Sequence, residues 1–318
     1  RRALEIYPRK LLYRGNYALY AMYASDFKSA LDGATQLLND EPTYYPAYLP
    51  VAVAALTQRD FTAARDAYDR MDRTGRAGAA VAAIGVADAA MYEGNFPEAV
   101  KLLRQGIEND KKAAPGAPMA TKYVLLGEAY RQLQQRAPAV DAVNEALKLG
   151  HQEEIAVPAA ETLLWAGRSE AAAKIAQTLQ SQFEPHRRAY GKLIEGEIAA
   201  HERKPVEAIE AFLAALKLTD LWLVRFNLGV LYVEAGRYAE ALSELDACQK
   251  RLGEAAAIFL DDVPTMRYTA PLPYWLARAQ EGLGMKEPAA ANYKTYLSLR
   301  NAAADPLAVE ARRRVAGR

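Results

Sequence analysis

Residues 222–248 read WLVRFNLGVLYVEAGRYAEALSELDAC, and this stretch decides the fold. Leu228, Leu231, Tyr232 and Ala235 recur at the three-and-four spacing of one helical face. Gly236-Arg237 interrupts that face, because glycine takes the positive φ that ends a helix without a Cβ clash. Tyr238, Ala241, Leu242, Leu245 and Cys248 then begin a second apolar stripe. Gly229 and Ala241 lie twelve residues apart, one per helix, where a helix pair crosses closely and a larger side chain would push it open. A hairpin this small cannot bury its apolar faces alone and needs copies stacked against it.

The copies are present. Ala18, Ala52, Ala87, Gly127, Ala160, Gly196 and Ala277 are the counterparts of Gly229, most of them 33 to 36 residues from the next. Twelve residues after each come Ala30, Ala64, Ala99, Ala139, Ala172, Ala208 and Ala289. Turn residues fall between, at Asp26-Phe27, Asp60-Phe61, Asn95-Phe96, Gly167-Arg168 and Gly236-Arg237. Alanine is common in this chain, so the constant offset carries more weight than the residue type.

The pattern resembles the tetratricopeptide repeat, whose unit carries Leu-Gly-x-x-Tyr in its first helix and spaced alanines in its second. Leu126-Gly127-x-x-Tyr130 and Leu228-Gly229-x-x-Tyr232 match it, followed by Ala139 and Ala241. Ala30, Leu37, Leu38 and Pro42 match its second half. The resemblance implies an all-α, right-handed superhelical solenoid of antiparallel helix pairs across nearly the whole chain, and it specifies fold better than function.

Eight repeats are expected over residues 11–299, after a stub at 1–8 that reads as the end of a truncated repeat. A connection at 110–118 and an insertion at 249–273 lengthen two of the intervals. Asp305-Pro306 reads as an N-cap and first helical residue of a closing helix within 305–318. The insertion carries Ile258, Phe259, Leu260, Met266 and Tyr268, too much apolar surface to stay in water. It is expected to fold back on repeats seven and eight, or else to serve as a partner or self-association contact.

Bulk properties exclude several functions. Lys+Arg 40 against Asp+Glu 39 leaves no cationic excess for displacing phosphate counterions, which argues against nucleic acid. No apolar run reaches membrane-spanning length. One cysteine, Cys248, leaves no internal disulfide and favours a reducing compartment, hence the cytoplasm. It sits on an apolar stripe, where a core role outweighs that of nucleophile. His151, His186 and His201 lie far apart without metal-ligand spacing, Gly282–Lys286 falls in an inter-helix turn, and Asp261-Asp262 reads as a solvated pair rather than a cation site. No cofactor, metal or catalytic constellation is expected.

Register gives the candidate site. In the resembled family first helices line a concave groove, and the residue after each small one points into it. That column reads Leu19, Val53, Asp88, Glu128, Glu161, Glu197, Val230 and Arg278, with four carboxylates in a row. Neighbouring positions add Leu49, Ile84, Met91, Tyr92 and Arg131 toward the front, and Trp165, His201, Phe226 and Tyr274 toward the back. An acidic stripe with apolar ends suits a partner segment bearing Lys or Arg between apolar anchors. Read otherwise, the column is an exposed position that tolerates any polar residue. Carboxylates where family clamps for peptide C-termini put Asn make that kind of binding unexpected. The expected function is a non-catalytic protein–protein interaction scaffold. The alternative is the regulatory region of a larger bacterial signalling enzyme, such as a serine/threonine kinase. Saccharide binding at Trp165, Tyr190 and Tyr274 is a third reading.

Overall fold

The computed structural model describes residues 2–113, 117–259, 263–300 and 305–317. Among the described residues eight antiparallel helix pairs follow one another. The first four are Leu11–Tyr23 with Phe27–Asp40, Tyr48–Thr57 with Phe61–Asp72, Arg76–Tyr92 with Phe96–Ala113, and Ala117–Gln132 with Arg136–Leu149. The second four are Glu153–Trp165 with Ser169–Gln180, Pro185–His201 with Pro205–Leu218, Trp222–Glu234 with Tyr238–Lys250, and Leu272–Gly282 with Lys286–Leu299. Arg2–Ile6 precedes them and Pro306–Ala316 closes the array. Among the described residues there is no strand.

The small residues do what their spacing implies. Ala30, Ala64, Ala99, Ala139, Ala172, Ala208, Ala241 and Ala289 have no exposed surface at all. A Cβ built on Gly127 would lie 2.5 Å from Val143 Cγ1 and 3.2 Å from the Ala139 carbonyl oxygen, so the two helices touch at that pair. Cys248 is packed in the same core, and burial raises its thiol pKa.

Each hairpin turn places one residue at positive φ. Glycine holds it in four repeats, at 94, 167, 236 and 284, but Ser25, Arg59, Gln134 and Arg203 hold it in the others. A side chain in that region carries a Cβ clash that glycine lacks. Gln134→Gly is therefore expected to raise stability by about 1 kcal/mol, read as a higher urea midpoint with an unchanged slope. The helix after the turn is capped where the sequence supplies a carboxylate: Asp26 accepts from the Ser29 amide at 3.1 Å and Asp60 from that of Ala63 at 2.9 Å. Asp305 caps the closing helix in the same way, accepting from the amides of Leu307 and Ala308.

The superhelix comes around on itself. Arg300, buried after the last helix of repeat eight, donates from Nη2 to the Met91 carbonyl at 2.7 Å and from Nε to that of Tyr92 at 3.1 Å. Those carbonyls end the first helix of repeat three, where orphan acceptors and the helix dipole favour a cation. Arg59 of repeat two reaches Ser298 of repeat eight at 2.5 Å. The concave face is thus an interior.

The insertion runs through that interior. Gly253 N donates to Ser25 Oγ of repeat one at 2.8 Å, and Tyr190 OH of repeat six donates to the Ile258 carbonyl at 3.1 Å. Ile258 and Met266 are buried and Phe259 and Tyr268 half-buried, but not solely on repeats seven and eight. Ala255 and Ile258 join the apolar cluster of repeats five to eight, while Ala256, Met266 and Ala270 join that of repeats one to three. The described part of this segment is therefore a strap across the groove, and its buried residues are not open to self-association. Leu260 and Asp261-Asp262 lie outside the described residues.

Candidate functional site

The strap meets the acidic column at its first two members. Arg267 and Asp88 are bonded at 3.0 Å (Nη1 to Oδ1), and Arg267 Nε donates to Glu128 Oε2 at 2.8 Å. The Met266 amide donates to Asp88 Oδ2 at 2.8 Å, and Tyr268 OH to Glu128 Oε1 at 2.8 Å. Tyr268 also lies against the guanidinium, 4.6 Å from ring centre to Cζ. Asp88, Glu128 and Arg267 are all buried. Burial pushes the Asp88 carboxyl above its ordinary range, against the pull of Arg267 and of the strap amides. Asp88 and Glu128 are thus taken by the chain's own arginine and are not free for a partner.

The next two members border an open cavity of about 530 Å³. Glu161 accepts from Arg131 Nη2 at 3.3 Å, and Glu197 Oε1 accepts from Asn227 Nδ2 at 3.0 Å. Met91, Trp165, His201, Phe226 and Tyr268 line the same space, with Arg300 and Glu234 also on its wall. Burial raises both carboxyl groups, that of Glu197 most strongly because the charge of Glu161 adds to the effect. Phe226 is held by stacking on Trp222, 5.3 Å between centres and 8° apart.

Other expected groove residues lie elsewhere. Leu49 and Val53 are core residues, in one cluster with Met266 and Ala270 of the strap, because the strap covers that end of the groove. Tyr92 packs its ring 6.1 Å from Phe61, outside the cavity lining. Tyr274 is buried among Trp275, Tyr293 and Tyr296, and Arg278 donates to its hydroxyl at 3.2 Å. In repeat eight, therefore, Tyr274 faces the stacking core, while Arg278 is half-buried and its charge acts on Glu234 of the cavity wall. Tyr190 packs on Phe259 of the strap, 5.4 Å between rings, so Trp165, Tyr190 and Tyr274 form no common sugar platform. Asn227, Arg267 and Tyr268 were not among the expected site residues. Asn227 lies three positions before Val230, between two that were considered. Met266-Arg267-Tyr268 itself has the form of a cation between apolar anchors.

Among the described residues no group of three or more His, Cys, Asp or Glu side chains could hold a metal ion, and no helix is long and apolar enough to cross a membrane. His186 sits 3.0 Å from Glu153, away from the cavity.

No family model matches the sequence, and no curated protein does. Solved structures match it along its length. Human IFIT1, as a dimer with PPP-AAAA, aligns over 99% of this chain and 75% of its own, at 13% identity and a TM-score of 0.53. This chain has the tetratricopeptide-repeat fold. A tetratricopeptide repeat protein from Parabacteroides merdae aligns over 80% of this chain and 93% of its own, at 13% identity and a TM-score of 0.45. The Cut9–Hcn1 assembly aligns over 96% of this chain at 16% identity and a TM-score of 0.49, and this chain spans 55% of that one.

Proposed function

We propose that this chain is a non-catalytic protein–protein interaction scaffold whose partner segment enters the open part of the concave groove, between repeats four and seven. One observation supports this above others. The groove already holds a segment of its own, and that segment is a basic residue between Met266 and Tyr268, bonded to two column carboxylates. Glu161 and Glu197 offer the next two carboxylates to a segment of the same kind, with Trp165 and Phe226 for its apolar anchors. Charge complementarity would steer the partner and apolar burial would hold it.

The human IFIT1 structures hold PPP-AAAA and m7Gppp-AAAA. The cavity wall carries Glu128, Glu161, Glu197 and Glu234 against Arg131, Arg267 and Arg300, with no cationic excess to hold phosphates, so we propose a peptide and no RNA. An array of short peptides should select sequences with Lys or Arg flanked by apolar residues. Reversing Glu161 and Glu197 together to Lys, which leaves the strap's own carboxylates untouched, should weaken that binding by about tenfold or more. Binding that ignores both changes, or an array that selects acidic peptides, would remove the groove as the partner site.

A further inference from the structure

The column presents paired carboxylates twice and fills one pair. At Asp88 and Glu128 the cation is Arg267, bonded to both. At Glu161 and Glu197 nothing bonds both. Arg131 reaches Glu161 alone, at 3.3 Å, and its Nε has no partner; Glu197 has a neutral donor, Asn227, on one oxygen, while Oε2 is buried without any. A buried carboxylate oxygen without a donor is costly and calls for a cation or a proton. The four carboxylates meet two guanidiniums, while Arg300 and Glu234 on the wall balance each other in sign. Beside the second pair lies the open cavity, with Trp165, Phe226 and Tyr268 on its wall. Aromatic rings beside carboxylates favour an organic cation over a bare metal ion, since they hold a charged head and an apolar stem at once.

We infer that this cavity binds one organic cation, a primary ammonium or guanidinium on an apolar stem, with its head between Glu161 and Glu197 and its stem against Trp165 and Phe226. The inference rests on the groove reading only for the source of the cation, a side chain of the partner segment; a free amine has the same chemistry. The bound head does for the second pair what Arg267 does for the first, and supplies the donor that Glu197 Oε2 lacks.

Calorimetric titration of the whole chain with n-butylguanidine and with n-pentylamine, against n-pentanol as the neutral control, tests it. Both cations should bind and pentanol should not. Glu161→Gln and Glu197→Gln should each weaken the cations by about tenfold, the loss of one charge-assisted hydrogen bond. Arg131→Met, which removes the guanidinium now beside Glu161, should tighten them severalfold, a gain that misfolding cannot produce. Absence of amine binding, equal binding of pentanol, or indifference to both Gln changes would overturn the inference. Should basic peptides bind while free cations do not, the cavity inference falls and the groove reading stands. Should free cations bind while no peptide does, the groove reading falls and the cavity keeps a small amine as its ligand.

Discussion

Arg267→Met is expected to destabilise the protein by about 3–5 kcal/mol, because it leaves Asp88 and Glu128 buried with no counter-charge. The side chain lost is nearly matched in volume, so the effect is mainly electrostatic rather than a cavity. Its pH dependence has a definite sign. The Asp88 carboxyl is already raised by burial, and Arg267 is the strongest of the influences holding it down. Without that cation its folded pKa climbs further above the unfolded value, and the native state then binds more protons than the unfolded one. Stability must therefore fall as pH rises, so the deficit should be smaller near pH 5 than near pH 8. Urea unfolding at the two pH values measures it. Neutralising all three together (Asp88→Asn, Glu128→Gln, Arg267→Met) should cost less than Arg267→Met alone, since hydrogen-bonding partners replace stranded charges. A loss below about 1 kcal/mol, independent of pH, would mean that the network is not buried as described.

Gly253→Ala is the second large effect. A Cβ there would lie 1.9 Å from the Met22 carbonyl oxygen and 2.7 Å from the Ser25 amide nitrogen. Both are backbone atoms at the end of a helix, so no side-chain rotation relieves the clash. The start of the strap must lift from repeat one, breaking the Gly253–Ser25 hydrogen bond, at about 3 kcal/mol. Limited trypsin digestion should then cut after Arg267, which is protected when the strap is seated. Because Gly253 and Arg267 hold the same segment, the double variant should lose less than the sum of the two single losses. Additive losses would show two independent contacts instead of one strap.

Much of this was legible in the sequence, for a reason visible at Gly127 and Ala139. The two lie twelve residues apart, and their closeness follows from helix geometry and a single turn. The same holds for Gly236 at positive φ, the Asp305 cap and the core position of Cys248. The column of Asp88, Glu128, Glu161 and Glu197 was likewise read from register between repeats, but not what each carboxylate meets. Tyr274 departs from that register in repeat eight, where its ring packs against Tyr293 and Tyr296 of the following helix.

The sequence by itself determined the all-α fold and its helix-pair unit, because in a stacked array each copy touches only its neighbours. Only the tertiary structure decided what fills the groove. Arg267 and Asp88 lie 179 positions apart, and Arg300 and Met91 lie 209 apart. They meet because a small rotation per repeat, summed over the array, brings its end back to repeats two and three. No single repeat encodes that sum, so the strap's place among four carboxylates could not be read from residue spacing.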